Sequence, residues 1–148
     1  MSFDATGAIL KPLQPAFSVV PASLQSSIAV GSAVTVVYGT EIFDQNGDFA
    51  SNTFTAPVTG RYMFSVIIEL YNMDSASASY DIQLLTSNRV YRVYFRSGQL
   101  SADGHGDTPI SCVADMDASD TAYITVTQAS GTSQTNIGQR PFGGYLIC

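Results

Sequence analysis

The one histidine of the chain, His105, sits in Asp103-Gly104-His105-Gly106-Asp107, where an imidazole could serve as a general base. Nothing in the sequence marks a nucleophile or an orienting partner for it, so it reads as an exposed loop histidine without a catalytic role. Glycoside cleavage needs two carboxylates projecting into one groove. Asp44, Asp48, Asp103, Asp107, Asp115, Asp117 and Asp120 fall almost entirely in turns, which Asp favours for backbone reasons. Calcium is the more serious candidate. Asp44-x-Asn46-x-Asp48 puts oxygens at alternate positions, but Gly47 is out of step with an EF-hand loop. The Asp103/Asp107 pair and the Asp115, Asp117, Asp120 group could also gather oxygens. Turn acids that simply meet water account for all three, so no metal, no cofactor and no enzyme activity are expected.

Two further groups carry potential chemistry. Cys112 and Cys148 are too few and too far apart for a disulfide framework or a zinc site. Each lies in an apolar strand-like run and reads as a buried free thiol, with a bridge open only if their strands are neighbours. Arg89, Arg92 and Arg96 interleave with Tyr91, Tyr94 and Phe95, the pattern of a stacking platform for single-stranded nucleic acid. An ordinary strand explains it better, with Arg92 and Arg96 exposed and Tyr91, Val93 and Phe95 inward. The net charge of −6, with one lysine (Lys11) and five arginines, leaves no basic stripe, so no nucleic acid partner is expected.

What must position these residues is a sheet. The chain has 148 residues, 45% hydrophobic and only 12% charged, which suits one domain with a full core. No apolar run approaches the roughly 18 residues of a membrane helix, so no membrane partner is expected. A surface so poor in charge is most simply kept from water by other copies of the same chain.

From Arg61 to Tyr71, Tyr62, Phe64, Val66, Ile68 and Leu70 alternate with Arg61, Met63, Ser65, Ile67, Glu69 and Tyr71. Successive side chains of a strand point to opposite sides, so the even positions form a core face. The odd positions are too apolar for a wet face and too polar for a second core. Either another subunit covers them, as interfaces gain Met and Tyr and lose central charge, or a loop or terminal arm of the same chain does.

Pro12, Pro15 and Gly7 punctuate residues 1–15, which read as an extended arm before a sandwich spanning residues 16–148. Strands are expected at Ala16–Val20, Ser32–Tyr38, Glu41–Phe43, Tyr80–Thr86, Arg89–Arg96, Ile110–Ala114, Thr121–Gln128 and in the closing Phe142–Cys148 segment. Asn46-Gly47 marks a turn, and Asn88 a hairpin with a left-handed residue. Residues 72–79 and 98–107 read as loops. Phe54, Ile124 and Val126 join the core. No helix of two turns appears, and about ten short strands predict an antiparallel sandwich of the jelly-roll kind.

The order of local patterns resembles the C1q-like globular domains. Phe54, Pro57, Gly60, Tyr62 and Phe64 spell a Phe-x-x-Pro-x-x-Gly-x-Tyr-x-Phe motif after the Asn46-Gly47 turn. The entry Asp117-Ala118-Ser119-Asp120 is similar to the family's later strand entry, with Ser119 where glycine is usual. Phe142-Gly143-Gly144-Tyr145-Leu146 is similar to its closing motif. The resemblance implies a ten-stranded jelly roll, C1q/TNF-like, that assembles as a homotrimer with the sheet of the central and last strands facing the threefold axis. It implies a trimer interface of Met63, Ser65, Ile67, Phe142 and Gly144, and so favours a partner copy over a covering loop.

No collagen-like Gly-X-Y stalk precedes the domain. The leaderless lead-in of Gly7, Pro12, Pro15 and Phe17 resembles that of such domains in bacteriophage structural proteins. With no shaft and no leader visible, the expected role is a capsid decoration or cement protein. The arm would attach it to a major capsid protein at the virion surface, after synthesis in the host cytoplasm without a signal peptide. A receptor-binding knob of a phage fibre recognising a host-surface glycan or protein ranks second, because the chain has no Trp and most of its aromatics lie in strands. A secreted lectin-like or cytokine-like module is the third reading, and it lacks its leader.

Overall fold

The longest strand forms where the alternation is cleanest. Gly60–Met73 runs unbroken for 14 residues and buries Tyr62, Phe64, Val66, Ile68 and Leu70 to within 1% exposure. The computed structural model describes residues 2–3, 5, 7, 9–97 and 103–148. In chain order its strands are β1 (Ser2–Phe3), β2 (Ile9–Leu10), β3 (Ala16–Val20), β4 (Ala33–Thr35), β5 (Thr40–Asp44), β6 (Phe49–Ala50) and β7 (Thr53–Thr55). They continue as β8 (Gly60–Met73), β9 (Tyr80–Thr86), β10 (Val90–Phe95), β11 (Gly104–Met116), β12 (Thr121–Gln128), β13 (Asn136–Ile137) and β14 (Phe142–Leu146).

These make two antiparallel sheets packed face to face, a jelly-roll-like sandwich. One sheet has the order β11-β8-β14-β3-β5, with β13 on the far end of β8. The other has the order β10-β9-β12-β7-β6, with β4 on β12. The eight expected core residues, Phe54, Tyr62, Phe64, Val66, Ile68, Leu70, Ile124 and Val126, all lie between the sheets at 1% exposure or less.

Aromatics fill one end of that core. Phe17 stacks on Phe54 at 4.8 Å and on Phe49 at 5.1 Å, and meets Phe142 edge-on at 5.0 Å. Each such ring contributes about 1.5–3 kcal/mol through burial, with the offset and edge contacts that aromatic quadrupoles favour. At the other end a polar network ties two loops together. The Asp74 carboxylate accepts the N–H groups of Ala76, Thr132 and Ser133 at 2.6–2.8 Å. Those donors hold its pKa below the ordinary value, the Ser133 N–H foremost. The Tyr80 hydroxyl accepts the Asp74 N–H at 2.7 Å and meets Thr135 Oγ1 at 2.6 Å.

Several expectations need correction. Gly104–Asp107 is not loop but the start of β11, held straight by pairing along β8; residues 98–102 of the expected loop lie outside the described residues. β8 extends through the expected loop as far as Met73. There Tyr71 and Asn72 lie between paired residues where β11 has only His105 between Gly104 and Gly106. Asn72, at φ 53°, absorbs this bulge, and the shifted phase turns Met73 into the core. Only Ala33–Thr35 of the expected 32–38 strand is ladder. Asn88 is not among the left-handed residues; its amide instead donates to Asp120 Oδ2 at 2.8 Å. Ser119 does take the left-handed conformation, φ 77°, at the position where the resembled family carries glycine. The arm is not extended throughout, since β1 and β2 pair antiparallel with each other.

Candidate functional site

Residues directly opposite in an antiparallel pair share a face, so register determines what the outward side of the β8 sheet presents. One row reads Ala16, Tyr145, Met63, Val113. The next reads Phe43, Ser18, Gly143, Ser65, Ser111, and a third holds Ile67 and Pro109. Phe43, Val113 and Tyr145 are each 51% exposed, while Met63 and Ile67 are half-buried and Ser65 is exposed. No charged residue stands in these rows. Charge begins one row beyond them at each end, with Arg61 opposite Asp115 and Glu69 opposite Asp107.

Met63, Ser65 and Ile67 are thus on the outward side, where the resemblance implied a partner copy. Phe142 and Gly144 are not, and their assignment to an interface is corrected. Phe142 lies opposite Val66 with no exposed surface, among the core aromatics. Gly144 lies opposite Phe64, and a Cβ there would stand 2.5 Å from the Phe64 ring. The close approach that Gly144 permits is made to the core. The residues that β14 turns outward are Gly143 and Tyr145.

At the charged end of this face lies a polar pocket of about 420 Å³, lined by Glu69, Tyr71, Asn72, Asn136, Gln139 and Arg140. Glu69 is on the outward side of β8 yet only 4% exposed. Its Oε1 accepts the Tyr71 hydroxyl at 2.8 Å and Arg140 Nη2 at 2.7 Å. Arg140 Nε donates to Asp107 Oδ1 at 3.2 Å. The hydrogen bond to Glu69, more than burial, holds the Tyr71 phenol above its ordinary pKa, and the bond to Asp107 raises that of Arg140. His105 stacks on Tyr71 with ring centroids 5.6 Å apart. The sequence reading noticed Glu69 and Tyr71 as part of a mixed face but not the pocket. Its only signal was an acid inside the most apolar strand.

The remaining candidates are placed as follows. Asp44 spends its carboxylate on the Asp48 and Phe49 N–H groups, and Asp120 accepts the Asp117 N–H, as turn acids do. Among the described residues no group of three or more His, Cys, Asp or Glu is placed to hold a metal ion. Cys112 is half-buried and burial pushes its thiol up to about 11; Cys148 is exposed, and both are free. Arg92 and Arg96 are exposed while Tyr91, Val93 and Phe95 are partly buried against the core.

The same architecture is found in solved structures. The globular domain of zebrafish complement 1qA protein superposes with a TM-score of 0.66 at 19% identity, covering 91% of this chain and 98% of that one. Murine APRIL at pH 8.0 gives a TM-score of 0.64 at 10% identity, covering 90% and 99%. At these identities the likeness establishes the fold. Among curated proteins no sequence match is found. The model of the C1q domain matches residues 16–147, nearly the whole sandwich, and the chain belongs to the C1q domain family.

Proposed function

We propose that this chain is a non-enzymatic structural module that works as a homotrimer, joined through the outward side of the β8 sheet. Domains of the C1q/TNF type are typically non-enzymatic and commonly self-assemble as trimers. The observation that carries the reading is the placement of charge on that side. Three consecutive rows hold Met63, Ile67, Val113, Tyr145 and Phe43 among small residues, and the ionic groups that β8 and β11 turn outward stand at the two rims. That is how protein interfaces differ from other surface: charge is depleted at the centre and kept at the edge. A threefold ring uses such a face without leaving an open filament.

The proposed setting is the surface of a virus particle, as a decoration or cement protein bound to the major capsid protein through residues 1–15. The lead-in of Gly7, Pro12, Pro15 and Phe17, which resembles that of phage structural domains, supports it. So does the way the base of the arm is fastened. Leu146 N donates to Pro15 O at 3.0 Å, Gln45 Nε2 to Lys11 O at 2.8 Å, and Asn46 Nδ2 to Leu13 O at 3.2 Å. Leu13, on this anchored segment, is 83% exposed and offers an apolar contact. Quantifying the chain on purified particles tests the setting. A fixed copy number spread over the shell supports decoration. Location at fibre ends alone supports the receptor-binding knob, and absence from particles overturns both.

A further inference from the structure

The pocket at the rim of the assembly face is not explained by assembly. Its polar groups converge from three separate segments: Glu69, Tyr71 and Asn72 on β8, Asn136 on β13, and Gln139 and Arg140 on the turn into β14. Taken one at a time, they leave free the atoms that recognise hydroxyls. Glu69 Oε1 is taken by Tyr71 and Arg140, but among the described residues no donor reaches Oε2. Gly138 is what leaves that oxygen room, because a Cβ there would stand 2.3 Å from Glu69 Oε2. Asn136 Oδ1 accepts the Ser27 N–H at 2.7 Å, leaving its NH₂ free. Gln139 Nε2 donates to Pro21 O at 3.2 Å, leaving its Oε1 free. The Asn72 amide makes no hydrogen bond among the described residues, and its left-handed backbone holds it at the pocket's lip. Leu24, 42% exposed, adds an apolar wall.

We infer that this pocket binds a small, neutral, polyhydroxylated ligand, the terminal ring of a glycan. Free acceptors (Glu69 Oε2, Gln139 Oε1) beside free donors (Asn136 Nδ2, the Asn72 amide) match vicinal hydroxyls, each of which both donates and accepts. Glu69 is buried at the floor of the pocket, while Asn136 is half-buried and Asn72 and Gln139 are exposed at its mouth, so a ligand can reach all four from solvent. An anion is disfavoured, because the single guanidinium is already shared between Glu69 and Asp107, and the local charge is two carboxylates against one Arg140. The volume, about 420 Å³, falls within the range of ligand sites and holds one or two sugar rings.

This inference uses the geometry of one chain and goes beyond the assembly reading. Its test is a titration of the ¹⁵N-labelled full chain with the methyl glycosides of glucose, galactose, mannose and N-acetylglucosamine at millimolar concentration. Saturable shifts for at least one of them are expected at the side-chain amides of Asn72, Asn136 and Gln139. Gly138→Ala, which crowds Glu69 Oε2, should abolish those shifts. If that variant does not fold, Asn72→Gly keeps the left-handed backbone, removes the amide, and should weaken binding about tenfold. Absence of shifts with every glycoside, shifts confined elsewhere, indifference to both variants, or tighter binding of free glucuronate would each overturn the site. Light scattering on the same samples separates the two readings. An intact trimer without shifts sinks the glycan site alone, and shifts on a single-chain species sink the trimer alone.

Discussion

The two sheets each turn one side outward, and both sides expose large apolar side chains. The β9–β10 side exposes Val90 and Tyr94 at 52%, the β8–β11 side Val113 and Tyr145 at 51%. Charge does tell them apart. On the first side Arg92, on the edge strand β10, pairs with Asp81 of β9 at 2.8 Å and lies over the Tyr94 ring. On the second the middle rows are Met63, Ser65, Ile67 and their neighbours, with the ions of β8 and β11 at the rims. An ion pair on an outward side is cheap to keep in water and expensive to bury. This placement of charge suits the first side to solvent and the second to the proposed contact.

The sharpest way to break this contrast is to put a charge on each side. Ile67→Asp should convert a three-chain species to single folded chains, read by light scattering with an unchanged far-UV signal. Val90→Asp, on the other side, should leave the mass untouched. Next in size is Phe142→Ala, because Phe142 belongs to the core and not to the face. It should cost about 3–5 kcal/mol in denaturant unfolding, whatever the assembly does. Gly144→Ala drives a methyl group into the Phe64 ring and should cost about 1–3 kcal/mol.

A smaller effect concerns the loops at the Asp74 end. The folded-state pKa of Asp74 is depressed, so its contribution is present above the unfolded value near 4 and lost as pH falls through the folded one. Melting temperature should therefore drop as pH falls below about 4, and Asp74→Asn should flatten that drop. Smallest is Arg92→Gln, since the Arg92 side chain is 52% exposed. At most about 1 kcal/mol is expected, measured by thermal melting.

How much of this the sequence disclosed depends on whether a residue's partner lies on its own strand or on another. β8 was legible because its alternation is internal, and Tyr62 through Leu70 reveal their side without help. Phe142 was not. The spacing of Phe142, Gly144 and Leu146 puts them on one side of β14, but only register against Val66 and Phe64 tells which side that is. Gly104-His105-Gly106-Asp107 looked like loop because glycine is a poor strand former. Pairing with the far half of β8 overrides that preference. The polar pocket was invisible for the same reason: Glu69, Asn136 and Arg140 are brought together by topology, and no spacing announces them.

The central claim is that three copies cover the outward side of the β8 sheet. The mass of the unmodified chain in dilute solution, by size exclusion with light scattering, tests it most directly. The account predicts three times the chain mass, held on dilution. A mass of one chain, with the fold intact, would contradict it.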